Sequence, residues 1–252
     1  MYHMELIDFF KRYRHVAIAF SGGVDSTYLL YAAVNYAEKV HAYYAKSVFQ
    51  PQFELEDAKR IAKQFCVDMT VIEADVLLYP QIVANTAERC YFCKKLIFSK
   101  ILEQAARDGY GTLLDGTNAS DDPGDRPGMR ALKELSVLSP LRECGLTKEE
   151  IRRRSKEAGL FTWDKPAYAC LSTRIQTGEP ITKEKLEYTE HAENFLFSLG
   201  FSDFRVRMSG TAAKLQVPAS QIEKVFENRK AIVRELKRYY SAVTLDLEAR
   251  NE

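Results

Sequence analysis

The apolar run from His15 to Phe20 leads into Ser21-Gly-Gly-Val-Asp-Ser26, and a helical pattern continues from Ser26 to about Glu38. Gly22 and Gly23 let the backbone approach an anion with no Cβ in the way. Ser21 and Ser26 add hydroxyl donors, and the following helix aims its unsatisfied N–H groups at the same place. A carboxylate has no favourable position beside phosphate unless a divalent cation bridges them, so Asp25 reads as a ligand to Mg2+ carried by a nucleotide. Strand, glycine turn and helix together form a pyrophosphate grip, which implies ATP as the ligand. No Gly-Lys-Ser/Thr follows, so the turn is not a Walker loop.

Cysteines supply the second set of reactive groups. Cys90 and Cys93 stand at the start of a helical stretch, where residues three apart share a face and the helix terminus favours thiolates. Cys170 lies far downstream, in a loop that also carries Arg174, a cation able to lower a thiol pKa. If the three meet, they can hold an iron–sulfur cluster by three irons and leave the fourth iron open to an external sulfide. Tetrahedral zinc is the competing use, but the four histidines, His3, His15, His41 and His191, show no spacing that completes such a site. Cys66 and Cys144 have no such context and are expected to be buried or inert thiols.

These groups need a frame, and the pattern along the chain supplies one. Val40–Ala45 and Met69–Glu73 read as strands, Glu54–Phe65 and Tyr91–Arg107 as helices, and Thr112–Asp115 as a short strand ending in Gly116-Thr-Asn118. Thr147–Ala158 reads as a helix with Thr147 as its cap and Glu150 three residues on. Short apolar strands spaced by helices predict an α/β fold, a parallel sheet with helices on both faces and ligands at the carboxyl ends of its strands. Ser21–Ser26, Ser47 and Gly116–Asn118 all fall at such ends and are expected to converge on one nucleotide. Asp121–Gly128, rich in turn residues, reads as a loop beside that site.

From Gly178-Glu-Pro180 the pattern changes to a small α/β appendage. Thr182–Leu199 and Ala219–Tyr239 read as helical, Phe204–Met208 and Ala213–Val217 as a hairpin turning at Ser209-Gly210, and Ala242–Asp246 as a last strand. The expected division is residues 1–178 as the nucleotide domain with the cysteine cluster, and residues 179–252 as a small domain for substrate binding and oligomerisation. Arg205 and Arg207 flank Val206 on a strand and so share a face, suited to clamping a phosphate or carboxylate.

The loop Ser21–Ser26 resembles that of the N-type ATP pyrophosphatases, which cleave ATP between its α and β phosphates and activate a carbonyl or carboxylate. Taken with Asp115-Gly-Thr-Asn118, Asp125-Arg-Pro-Gly128, Cys170-Leu-Ser-Thr-Arg174 and Arg205-Val-Arg207, the likeness extends over nearly the whole chain and is to the LarE family. That resemblance implies an adenine nucleotide alpha hydrolase-like fold and an ATP-dependent sulfur transferase of nickel-pincer cofactor synthesis. Its substrate would be a pyridinium dicarboxylate mononucleotide: a carboxylate is adenylated, sulfur displaces AMP, and a thiocarboxylate results. Members with one cysteine give up their own sulfur and end as dehydroalanine. Cys90 and Cys93 place this chain nearer the subgroup in which three cysteines, here Cys90, Cys93 and Cys170, hold a [4Fe-4S] cluster. Sacrificial transfer from Cys170 is the alternative. Thr173, Arg174 and Glu193 match family positions near the substrate, whereas Gln216 stands where a glutamate is expected.

Composition narrows the partners. In 252 residues, Lys and Arg number 36 and Asp and Glu 35, a formal charge of +1. A sequence-independent grip on nucleic acid usually needs a large basic excess, so a transfer-RNA thiolase with a similar loop is the less favoured reading. An ammonia-using ligase would share the loop but leave the cysteines unexplained, and a non-catalytic ATP binder would leave Asp25 without purpose. No apolar run is long enough to span a bilayer, and the charged residues within 1–14 exclude a signal-peptide core. A cytoplasmic homo-oligomer working on a small nucleotide, with a separate sulfur donor, is expected.

Overall fold

The computed structural model describes residues 4–121 and 127–250. Alternation of side chains along the first strand builds both faces of the main sheet. In β1 (His15–Ala19), Val16 and Ile18 point to one side and Ala17 to the other, and all three are fully buried. β2 (Lys39–Lys46) pairs parallel with one edge of β1, and β3 (Met69–Glu73) pairs parallel beyond β2. The two-residue β4 (Leu113–Leu114) pairs parallel with the other edge of β1, giving the order β3-β2-β1-β4.

A parallel sheet apolar on both faces has to be covered twice. On one face α1 (Leu6–Arg12), α2 (Val24–Tyr36), α3 (Gln52–Gln64), α7 (Pro140–Glu143) and α8 (Lys148–Glu157) bury Val16, Ile18, Ala42 and Tyr44. On the other, α5 (Arg89–Arg107) and α6 (Pro127–Glu134) pack Ile101, Ala105 and Leu132 against Ala17 and Tyr43. The chain steps outward from β1 to β3 and then returns to the opposite edge of β1. That reversal makes a topological switch point between β1 and β4, and such sheets hold ligands at the carboxyl ends of the strands beside it.

The chain divides into two compact units, Met1–Val76 with Glu88–Lys165, and Leu77–Ala87 with Pro166–Glu252. The second unit holds α9 (Lys183–Ser198), β5 (Arg205–Ser209), β6 (Ala212–Gln216), α10 (Ile222–Leu236) and β7 (Val243–Leu245). β5 and β6 form an antiparallel hairpin and β7 adds parallel to β6. The segment carrying the short α4 (Pro80–Val83) is stitched into this unit by Asn85. Its buried amide donates to the carbonyls of Ile175, Gln176 and Glu179, and its own carbonyl accepts from Gly178 N at 2.9 Å. Those partners lie some ninety residues away, so local periodicity carries no trace of them.

Several boundaries differ from the sequence expectation. α2 begins at Val24, two residues early, because extended Gly23 takes the cap position. Pro127 and Gly128, expected in a loop, open α6, since proline's fixed φ suits a first helical turn; residues 122–126 of that expected loop lie outside the described residues. Cys66 is exposed rather than buried, at φ +54 just past the end of α3, whereas Cys144 is buried and burial pushes its thiol up to about 11. Among the described residues no helix is long and apolar enough to cross a membrane.

The cap of α8 is as the sequence predicts: Thr147 Oγ1 accepts from Glu150 N at 3.2 Å. Thr147→Ala should cost about 1 kcal/mol and lower the thermal midpoint by about 2–4 °C, as followed by circular dichroism. An unchanged midpoint would show that the cap contributes nothing.

Candidate active site

The first unit carries the nucleotide-binding candidates, and backbone conformation shapes them. Gly22 has φ +71, and a Cβ there would meet the backbone of Ala58 at 3.2 Å, so glycine is required both by conformation and by space. Ser21 and Ser26 share a hydrogen bond at 3.0 Å, and Ser26 Oγ also donates to the Gly23 carbonyl at 3.2 Å. Gly23 caps α2, with no side-chain cap bond to the helix N–H groups among the described residues. The donors of the first turn are thereby left available to an anion.

β4 delivers the other wall. A Cβ on Gly116 would lie 3.0 Å from Ser26 N, so this glycine lets the strand end close on the first turn of α2. Buried Asp115 accepts from Thr117 Oγ1 and, at 2.6 Å, from Ser139 Oγ, which sets the turn. Asn118 Oδ1 then accepts from Ser120 N at 2.8 Å, and Ser120 Oγ accepts from Lys148 N at 2.9 Å. Ser47, at the end of β2, instead closes its own turn: its hydroxyl donates to Gln50 Oε1 at 2.7 Å and accepts from Phe49 N.

This chain of contacts brings Lys148 onto Asp25, with Nζ 2.5 Å from Oδ2. The Oδ1 atom is buried and, among the described residues, has no hydrogen-bond partner. Burial raises the Asp25 pKa, while the Lys148 ammonium pulls the other way. A half-buried carboxylate with one buried, unsatisfied oxygen, beside an open helix N-terminus, fits the coordination of a hard cation. Lys165 braces the opposite side of the turn, donating to Asp57 Oδ2 at 2.7 Å and approaching the Gly22 carbonyl at 3.4 Å. Neither lysine stands in a motif that marks it from the sequence. One signal was available for Lys148: a cation at the first position of a helix opposes the helix dipole and needs a nearby anion.

In the second unit Glu193 is the organising charge. It is 1% exposed and accepts from Arg174 Nε at 2.7 Å, Arg174 Nη2 at 3.1 Å, Val206 N at 3.0 Å and the Tyr168 hydroxyl. Burial pulls the Arg174 pKa down, but the paired carboxylate more than offsets this and leaves it raised. Breaking such a buried pair from one side costs about 3–5 kcal/mol. Tyr168, absent from the sequence-predicted site, lies between two guanidinium groups, with Arg174 at 4.7 Å and Arg205 at 5.2 Å from its ring.

Arg205 is nearly enclosed, donating to the carbonyls of Phe204 and Ala167; burial, then the Arg174 and Arg250 charges, push its pKa down to about 10. Arg207 is the more accessible of the pair and is oriented by Gln216 Oε1 and the Thr173 carbonyl, each at 2.6 Å. Gln216 passes its amide on to Asp246 Oδ2 at 2.8 Å, so an amide stands between a cation and an anion where a glutamate was expected. The Thr173 hydroxyl donates to the Cys170 carbonyl and accepts from Arg174 Nη1.

The cysteines divide between the units. Cys90 is exposed at the start of α5, with Arg89 Nη2 3.5 Å from its sulfur, and Cys93 is half-buried one turn on. Cys170 belongs to the second unit, its Sγ 3.1 Å from Ser172 Oγ. Arg174, expected to act on this thiol, is ion-paired with Glu193 and still interacts electrostatically with Cys170. Among the described residues no three His, Cys, Asp or Glu side chains form a metal-holding set.

Comparison with known proteins places the chain in a family. Residues 15–90, from β1 to the first turn of α5, match the model of the queuosine biosynthesis protein QueC family. An uncharacterized Synechocystis protein is 36% identical over 249 residues, 96% of this chain and 92% of its own. An uncharacterized protein of Methanocaldococcus jannaschii is 29% identical over 93% of this chain and 90% of its own. The pyridinium-3,5-bisthiocarboxylic acid mononucleotide synthase of Lactiplantibacillus plantarum is 31% identical over 245 residues, 96% of this chain and 89% of that enzyme. With that identity sustained from end to end, on a parallel sheet whose glycine turn opens a helix N-terminus, the chain belongs to the LarE family of pyridinium-3,5-bisthiocarboxylic acid mononucleotide synthases.

Proposed function

We propose that this protein uses ATP to convert a carboxylate of a pyridinium dicarboxylate mononucleotide to a thiocarboxylate, as the name of the Lactiplantibacillus relative suggests. The single observation that carries the ATP half is the half-buried Asp25 carboxylate, whose buried Oδ1 has no hydrogen-bond partner among the described residues, in the first turn of a helix capped by Gly23 with no side-chain cap bond among those residues. ATP would lie with its β and γ phosphates on Ser21, Gly22, Gly23 and Ser26, and Ser47, Gly116 and Asn118 would flank the remainder of the nucleotide. Asp25 would hold Mg2+, whose chemistry is to neutralise the departing pyrophosphate. The substrate carboxylate attacks the α phosphorus, pyrophosphate leaves, and an acyl adenylate remains. A sulfur nucleophile then adds to its carbonyl carbon and AMP departs.

In the second unit, Thr173, Arg174, Glu193, Arg205 and Arg207 are assigned to the substrate nucleotide. Their geometry supports a division of labour. Arg207 is the cation exposed enough to meet an anionic group, while Glu193, with Arg174 and Arg205, fixes the strand that presents it. The near-balanced charge of the chain supports a small nucleotide over tRNA as the acceptor.

For the sulfur, Cys90, Cys93 and Cys170 are proposed as a set that handles sulfide through a [4Fe-4S] cluster, on the strength of the Cys90–Cys93 spacing. The competing route takes the sulfur from Cys170 itself.

Asp25→Asn should fold yet lose pyrophosphate release by about 10²–10³-fold, as expected for removing a preorganised charge at the leaving group. Release would be measured with ATP, Mg2+ and the dicarboxylate mononucleotide; a wild-type rate would remove Asp25 from the mechanism.

Anaerobic purification of single cysteine variants decides the sulfur route. Replacing Cys90, Cys93 or Cys170 with Ala should remove iron and acid-labile sulfide together and stop multiple turnover, with Cys66→Ala and Cys144→Ala unaffected. Full iron in Cys90→Ala and Cys93→Ala, with intact-protein mass falling by the elements of hydrogen sulfide at Cys170, would establish sacrificial transfer instead.

A further inference from the structure

We infer that Lys148 makes cation binding at Asp25 conditional on the nucleotide: its ammonium occupies the carboxylate in the resting protein and yields only when phosphate arrives. The inference rests on the reading of Asp25 as the Mg2+ ligand and deepens it. Lys148 Nζ donates to Asp25 Oδ2 at 2.5 Å, and both side chains are largely withdrawn from solvent, 31% and 22% exposed. Lys148 is also held at its backbone, where its N–H meets Ser120 Oγ and Thr147 caps the helix it begins. The ammonium therefore projects from a fixed point, while its four-carbon stem leaves the charge able to move.

The charge balance explains the consequence. Asp25 contributes one negative charge and Lys148 one positive, and the α2 N-terminus adds a partial positive charge of about 0.5. Arg152 adds a further cation near Asp25 and Asp121 a further anion, so the surroundings stay close to balanced. A bare divalent ion needs oxygen ligands at about 2.0–2.1 Å and would have to settle on a carboxylate that already carries an ammonium. ATP changes the balance. Its phosphate oxygens offer the ammonium a better partner and share the cation with Asp25 Oδ1, the oxygen that has no hydrogen-bond partner among the described residues. The bound species is then the metal–nucleotide complex, and free cation is refused.

The test uses Mn2+ as the cation, counted by electron paramagnetic resonance on the full chain. Without nucleotide, the wild type should show no Asp25-dependent site, whereas Lys148→Met should gain one Mn2+ per chain, bound at least tenfold more tightly. Asp25→Asn in the Lys148→Met background should abolish that gain, and Lys148→Arg, which keeps the positive charge, should behave as wild type. Lys148→Gln serves as a second neutral variant, with circular dichroism confirming that each folds. Adding α,β-methylene-ATP should load Mn2+ into the wild type and not into Asp25→Asn. Wild-type protein that already binds Mn2+ as tightly as Lys148→Met would overturn the inference. No gain in either neutral variant, with Asp25-dependent loading intact in the nucleotide complex, would overturn it while leaving the Asp25 assignment standing. Equal loading of Asp25→Asn with nucleotide would overturn both.

Discussion

The candidate site of the first unit depends on an N-terminus of α2 that carries no side-chain cap among the described residues. A helix start carries four N–H groups without intrahelical partners, and most helices satisfy some of them with a capping side chain. Here Gly23 holds the cap position, and Ser21 and Ser26 turn toward each other and the loop carbonyl. The sheet order brings β4 to the edge of β1, and Gly116 allows it to close on the same turn to a distance that any side chain would disturb. The donors can then be satisfied by a ligand, and the positive end of the helix makes that ligand an anion.

The ion pair between Asp25 and Lys148 follows from this arrangement. Asp25 is in the first turn of α2, where a carboxylate is favoured; Lys148 is in the first turn of α8, where a cation is not. Each lies within 2.5 Å of the other because the loop from Asp115 to Asp121 docks onto the start of α8 through Ser120. In the second unit the same economy appears with opposite sign. A single carboxylate, Glu193, gathers an arginine, a tyrosine and a backbone N–H in the interior, which fixes β5 and the orientation of its arginines.

Much of this was legible in the chain. The strands β1 to β3, the helices between them and the cap at Thr147 follow from periodicity and local chemistry, because each depends on residues within one or two turns. The glycine turn and Asp25 were legible for the same reason: the chemistry needs those residue types in immediate succession. The burial of Arg205 was not legible. Alternation correctly puts Arg205 and Arg207 on one face of β5, yet only packing distinguishes the nearly enclosed arginine from the accessible one.

By itself, then, the sequence determined the α/β alternation, the glycine turn that opens α2 and the types of groups available for chemistry, since short-range sterics and hydrogen bonding decide these. Tertiary structure alone decided which groups meet. Lys148 and Asp25 are 123 residues apart, Arg174 and Glu193 are 19 apart, and Asn85 captures carbonyls about 90 residues away. Such pairs form because the sheet order and the burial of apolar faces bring distant segments together, and a charge withdrawn from water must find its partner wherever the fold places one.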